Sequence, residues 1–538
     1  MPSEIERLKK KAYRLRTLGK TREAIEIFER LLRMLPRDRA LGMDLADLYL
    51  DLEEFDKATS VYARVFELHP KDATAASNLG AALVRQGKIN EAKTVLEYCL
   101  ELDPKNKFAL INLGGVHQAL GEPLAALNTA LSAIALDPTD ALAFNNLGSA
   151  LSDLAQYTEA KHAFETALLL NPEQVDALIN VAGCEAKLGD HEASIRHYEE
   201  VIASLPETAA YRIQAIKFFA AFQYLQTGDL EKGWEYYEGG FSPLVPVAGS
   251  RTPRLTFEQP MWSGEDLNGK TILLWREQGI GDEILFASCI PDLILKFPSA
   301  KVIIQCEPRL IEIFRRSFPS ARVVGQFAEQ IQDLDYHMPF GSLMRRFRSG
   351  IHNFQNPIPY FTPNPEQKQE MNKRLDPYRN PRTKFVGICW RSGLISATRN
   401  SNYTALSDWL EILKDSNDFV FVNLQYGNCE EELRQIEQQC GVRILRWPEV
   451  DLKNDMERVF ALVSCLDVVV TVGTSVSAIA GSLGVPTIYL VKRGWLFLGQ
   501  EKFPWFHSFH ELVAEGDSPV ASKLKEVSPL MRDVLGQF

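Results

Sequence analysis

Three short segments carry residue types that could do chemistry. The first, Glu277-Gln278-Gly279-Ile280-Gly281-Asp282-Glu283, lies where a β-branched apolar run gives way to a helical pattern. Gly279 and Gly281 let the backbone turn tightly and approach a ligand, and free N–H groups at a helix start favour anions. The spacing is not GxGxxG, which argues against a nicotinamide site. Asp282 falls in the first helical turn, where a carboxylate serves either as a cap or as a general base on an acceptor hydroxyl. The second segment, Val472-Gly473-Thr474-Ser475-Val476, stands at another strand-to-helix change. Its hydroxyls and N–H groups suit a diphosphate, and equally suit an ordinary helix cap.

The third segment is Trp390-Arg391-Ser392-Gly393, with Arg399 on the polar loop that follows. A guanidinium there could neutralise a phosphate or a leaving diphosphate; the alternative is a solvated loop arginine. Gln425, after the run FVFVNL, is a candidate for hydrogen bonding a base or ribose. Asp333-Leu334-Asp335 has the spacing of a metal-binding DxD, but hard cations need more oxygen ligands than this pair. A turn or strand-edge role is expected, and no metal is predicted.

These segments need a scaffold, and the C-terminal half supplies its pattern. Apolar runs beginning at Lys270, Lys301 and Arg322, and again at Lys384, Phe419, Val442, Asp467 and Pro486, alternate with helical stretches. That alternation predicts parallel sheets with a ligand at the carboxyl ends of the strands. The expected layout is two Rossmann-like α/β domains facing a cleft, residues 269–355 and 383–538, joined by a Pro- and Asn-rich linker at 356–382. A C-terminal helix after Ser518 is expected to cross back to the first domain. Positions 468–491 lack charge, but Gly473, Gly481, Gly484 and Pro486 divide them into strand, turn, short helix, turn and strand. A membrane span is not expected.

The N-terminal half has a different order. Pro36, Pro70, Pro104, Pro138, Pro172 and Pro206 recur every 34 residues, the spacing of a helix-turn-helix repeat. Ala24, Ala58, Ala92, Ala126 and Ala160, then Ser194, keep the same step where two helices cross closely. Phe28, Tyr62, Leu96, Ala130, Phe164 and Tyr198 follow one helical turn later, and Gly80, Gly114 and Gly148 hold the small position on the preceding helix. These residues resemble the tetratricopeptide family, which implies an α-solenoid over residues 1–240 with a groove for a protein or peptide. After Pro206 the register slips by five residues, and a longer pair ending in GDLEKGWEYYEGGF is expected to cap the stack. Residues 241–268, rich in Pro, read as a linker.

A net charge of -11 gives no general footprint for nucleic acid or anionic membrane. The 8 cysteines form no CxxC pair and indicate neither zinc nor a disulfide framework. The start, MPSEIERLKKKAYRL, has no apolar signal core, so a reducing cytoplasm is the expected compartment.

Taken in order, GDLEKGWEYYE, PMWSGE, LLWREQGIGDEILFA, LDYHMPFGSL, VGICWRSG, VNLQYG, VVVTVGTSVSAIAGSLGVPT and FPWFHSFHEL resemble the C-terminal half of tetratricopeptide proteins with a heptosyltransferase-like glycosyltransferase domain. The resemblance implies the two-domain GT-B fold, a nucleotide-sugar donor as cosubstrate, no cofactor, and metal-independent inversion. By position it makes Asp282 the base, with Gly279 and Gly281 in its turn. Gly473, Thr474, Ser475 and Val476 become the donor phosphate loop, with Arg391, Ser392, Gly393, Arg399 and Gln425 also at the donor. Gly473 stands where many relatives have Asp. The repeat arm favours a protein acceptor, flagellin Ser or Thr among the candidates. The alternatives are a non-catalytic tetratricopeptide scaffold with a nucleotide-binding pseudo-transferase domain, and a transferase directed at lipopolysaccharide or another glycan.

Overall fold

A computed structural model of the chain describes residues 2–246, 249–325, 331, 333–354, 359–393, 402–414, 419–516 and 518–536. The chain forms two compact units, Met1–Ser204 and Leu205–Phe538.

In the first unit, paired helices run from Pro2–Thr17 to His191–Ser204 at the step the prolines predict. The repeating alanines are buried, Ser194 among them donating its hydroxyl to the Ala182 carbonyl at 2.7 Å. The glycines have a steric reason. A Cβ at Gly80 would stand 2.4 Å from Leu96, and one at Gly148 would stand 2.7 Å from the Phe164 ring. At Gly114, where the partner position holds small Ala130, Asn146 fills the space instead. Asp38, Asp72, Asn106 and Asp140 add a further 34-residue series, each accepting backbone N–H at a helix start.

The turn inside each pair also repeats. Gly19, Glu53, Gly87, Gly121, Ala155 and Gly189 all have φ between 58° and 86°, a region that costs a side-chain-bearing residue free energy and costs glycine none. Glu53 and Ala155 hold it against that preference. Ala155→Gly is expected to raise the unfolding free energy by about 0.5–1 kcal/mol, relief of the left-handed conformation exceeding the entropy of the added glycine. Chemical denaturation followed by helical circular dichroism checks this; an unchanged or lower midpoint would count against strain at the turn.

The second unit contains two parallel sheets. One has the order β3-β2-β1-β4, with β1 (Thr271–Trp275), β2 (Lys301–Gln305), β3 (Arg322–Val324) and β4 (Tyr336–Pro339). The other has the order β6-β5-β7-β8-β9, with β5 (Lys384–Cys389), β6 (Phe419–Asn423), β7 (Val468–Val472), β8 (Thr487–Lys492) and β9 (Phe509–Ala514). From β1 the chain builds to one side and then places β4 on the other; from β5 it places β6 on one side and β7 on the other. Each sheet thus has a switch point, and ligands bind at the carboxyl ends of strands beside such a point.

Several expectations need correction. The pair Ala210–Thr227 and Leu230–Tyr237, expected to cap the solenoid, lies in the second unit, where Trp234 packs edge-on against Trp495 and Trp505 and its indole N–H reaches the Arg348 carbonyl at 2.9 Å. The segment read as a linker at 241–268 is packed, with Arg251 and Trp262 fully buried. The segment at 356–382 contains the helix Pro365–Leu375, whose Met371 and Leu375 are buried. The run at Val442 makes a single isolated bridge, Leu445 to Val422, and Glu437 takes the Ile444 N–H and the Arg446 guanidinium. The C-terminal helix Val527–Gly536 does not cross back; its Val527 and Met531 join the core of the second sheet. Strand β9 was missed. The run 468–491 forms β7, the helix Ser475–Ser482 and β8. Among the described residues no helix is long and apolar enough to cross a membrane.

Candidate functional site

The turn leaving β1 is fixed from behind. Glu277 and Arg251 are both fully buried and form a bidentate pair, Nε and Nη2 each 2.6 Å from a carboxylate oxygen. Glu277 also accepts the Gly341 N–H at 2.6 Å, and Arg251 donates to the Ser342 hydroxyl at 2.8 Å. The guanidinium is stacked between the rings of Tyr237 and Phe241. Gln278 takes a left-handed φ of 61°, held by its N–H to the Thr252 carbonyl at 2.6 Å and its amide to the Tyr237 hydroxyl at 2.8 Å. Gly279 to Asp282 then enters the helix Ile280–Phe286, where Asp282 accepts the Gly279 N–H at 3.3 Å. The capping role of Asp282 is therefore present, on a side chain that also faces the cleft.

The turn leaving β7 faces it. Thr474 caps the helix Ser475–Ser482, its hydroxyl accepting the Val476 N–H at 3.3 Å. A Cβ at Gly281 would stand 3.8 Å from the Ser475 Cα, so the two turns abut. Gly279, Gly281, Asp282, Ser392, Gly393, Gly473, Thr474 and Ser475 line one cavity of about 690 Å³ between the two sheets.

Three predicted residues lie off that wall. Arg391 pairs with Glu432 and donates to the Asn428 carbonyl at 3.1 Å, so its charge is spent within its own domain. Gln425 is buried; its carbonyl accepts the N–H groups of Trp390 and Arg391 at 3.2 and 3.0 Å, tying the ends of β5 and β6 together. Val476 is buried in its helix. Arg399 lies outside the described residues. Asp335 of the DxD accepts the Thr271 N–H at 2.8 Å and the Lys270 ammonium at 3.0 Å, anchoring the start of β1.

The cavity also recruits residues that sequence reasoning missed. Tyr426, the neighbour of Gln425, lies over Gly393, where a Cβ would stand 2.9 Å from its ring. Tyr489, Phe503, Phe506 and Phe509 form an apolar wall; the last three belong to FPWFHSFHEL, so the signal was present as an aromatic cluster. Arg309 and Lys453 contribute positive charge.

Family models of the tetratricopeptide repeat match residues 15–83, 73–106 and 145–209, and the N-terminal helix pairs are tetratricopeptide repeats. Among curated proteins, Protein FlbA of Caulobacter vibrioides is 30% identical over 363 residues, covering 64% of this chain and 59% of that relative. The chain thus spans less than two thirds of that relative's length. Solved structures with similarity include a tetratricopeptide repeat protein from Parabacteroides merdae (16% identity, TM-score 0.39, 45% of this chain and 94% of that one). MamA of Desulfovibrio magneticus RS-1 is another (23% identity, TM-score 0.28, 31% and 94%).

Directly behind Asp282, Glu283 is buried, and desolvation pushes its carboxyl up to about 8 from an ordinary 4.5. Its Oε1 accepts the Glu307 N–H at 2.8 Å. Between pH 4.5 and about 8 the folded protein holds a proton there that the unfolded chain releases. The stabilisation is full below 4.5 and is lost as pH rises through about 8. Glu283→Gln, which keeps the acceptor and removes the titration, is expected to flatten this dependence. Thermal midpoints of both proteins at pH 5 and pH 8.5 test it: the parent should fall by several degrees more than the variant, and parallel falls would contradict the assignment.

Proposed function

We propose that the chain is a metal-independent, inverting glycosyltransferase that moves a sugar from a nucleotide-activated donor to a protein acceptor. The observation that carries this reading is the single cavity joining the Gly279–Asp282 turn to the Gly473–Ser475 turn at the switch points of two parallel sheets. In this reading the two sheets are the Rossmann-like halves of a GT-B enzyme. The sequence resemblance supports it, and the tetratricopeptide repeats supply a surface for a polypeptide, flagellin among the candidates.

The mechanism follows from charge placement. Asp282 is the one carboxylate on the wall among the described residues. It takes the proton of the acceptor hydroxyl as that oxygen attacks the anomeric carbon. The bond from that carbon to the diphosphate breaks, and its electron pair leaves on the phosphate oxygen. The N-terminal end of the helix Ser475–Ser482, through its dipole, and cationic side chains stabilise the charge that appears there. The attack comes from the face opposite the leaving group, so configuration inverts without a covalent enzyme intermediate.

Because Asp282 also caps its helix, Asp282→Asn is the informative variant: it keeps the acceptor for the Gly279 N–H and loses the base. Incubation of the full chain with ADP-, UDP-, GDP- and CMP-linked sugars and flagellin, read by intact mass, should show transfer by the parent. The variant should be slower by about 10²–10⁴-fold with donor binding retained. Equal rates would remove Asp282 as base, and no transfer or donor hydrolysis by the parent would contradict the reading as a whole.

A further inference from the structure

A departing diphosphate needs positive charge, and Arg391, one of the arginines expected to supply it, is held by Glu432. Among the described residues, the cationic ones on the cavity wall are Arg309 and Lys453. They come from opposite sides of the cleft. Arg309 follows β2 of the first sheet, and Lys453 precedes the helix Met456–Val463, which packs against the helices Pro365–Leu375 and Ser475–Ser482. The Arg309 Nη1 donates to the Lys453 carbonyl at 2.8 Å, so the two are neighbours across the cleft.

Both are held in place by groups that do not line the cavity. Glu307 accepts the Arg309 Nε at 2.8 Å and is shared with Arg276. The Glu307 N–H is in turn held by Glu283. Burial pushes the Glu283 carboxyl toward its neutral form, which lessens the negative charge that Arg276 and Arg309 face. On the other side, Asp451 accepts the N–H groups of Lys453 and Asn454 at 2.9 and 3.0 Å, fixing the turn that carries the lysine. Arg309 differs from Arg391 in lining the cavity: with Nε on Glu307 and Nη1 on the Lys453 carbonyl, its Nη2 and the Lys453 ammonium are the donors offered to a diphosphate's oxygens.

We propose that Arg309 and Lys453 form a two-sided clamp for the diphosphate of a nucleotide-activated ligand, which when bound bridges the two sheets. This rests on the donor reading for the identity of the ligand, while the clamp itself is a claim about a diphosphate and can be tested apart from it.

The test is calorimetric titration of the full chain with inorganic pyrophosphate and, separately, with ADP, UDP and GDP. Arg309→Gln and Lys453→Gln should each weaken pyrophosphate and the bound nucleotide at least about tenfold. Arg309→Lys, which keeps the charge, should recover most of that affinity, and Arg391→Gln should bind as the parent does. Unchanged thermal midpoints in the absence of ligand separate lost contacts from misfolding. Pyrophosphate binding that depends on Arg309, with no nucleotide bound, supports the clamp and removes the donor reading. Nucleotide binding indifferent to Arg309 and Lys453 overturns the clamp and leaves the donor reading standing. No binding of either ligand by the parent overturns the clamp.

Discussion

The C-terminal unit is organised around the buried pair between Arg251 and Glu277. Removing two charges from water is costly, and such a pair is sustained only when its remaining hydrogen-bonding capacity is also met. Here it is met from two sides: Gly341 and Ser342 follow β4, and the Tyr237 carbonyl and the Glu238 carboxylate close the preceding helix pair. A side chain at Gly341 would stand 2.5 Å from the Glu277 carboxylate, so the fit admits only glycine there. Breaking one partner of a buried pair of this kind costs about 3–5 kcal/mol, because the other charge is left stranded. What the pair secures is position: the turn from Gln278 to Asp282 is pinned from behind and free in front.

That constraint explains why the helix pair 210–237 belongs with the sheets. Tyr237 contacts the guanidinium and the Gln278 amide, and its ring packs against Phe286, while Trp234 meets Trp495 and Trp505 of the second sheet's side. One aromatic cluster thereby supports both halves of the cleft. The cavity in front then combines a carboxylate beside the β1 switch point, a capped helix start beside the β7 turn, two cations between them and an aromatic wall. These are the groups that an acid-base step with an anionic leaving group calls for.

The sequence announced some of this plainly. The 34-residue series was legible because each position in it answers to a steric demand, glycine against Leu96 or Phe164 and alanine at each helix crossing. The strand-to-helix turns at Gly279 and Gly473 were legible because their glycines and cap residues are local. Other features depend on partners distant in sequence. Arg251 sits in a stretch whose prolines suggest a linker, and only contact with Glu277 and Ser342 makes it core. Gln425 and Tyr426 are neighbours that point to opposite uses, one satisfying backbone N–H groups and the other lining the cavity. Arg391 looked available because Glu432, 41 residues on, could not be paired with it in advance. Arg309 and Lys453 carry no motif at all.

The two abutting turns are proposed as one binding site for a nucleoside diphosphate. A crystal structure of the full chain grown with the nucleoside diphosphate that binds most tightly tests it most directly. Phosphate oxygens are expected at the N-terminal end of the helix Ser475–Ser482, with the remainder of the ligand in the cavity beside Asp282. A nucleotide bound elsewhere, with that cavity unoccupied, would contradict it.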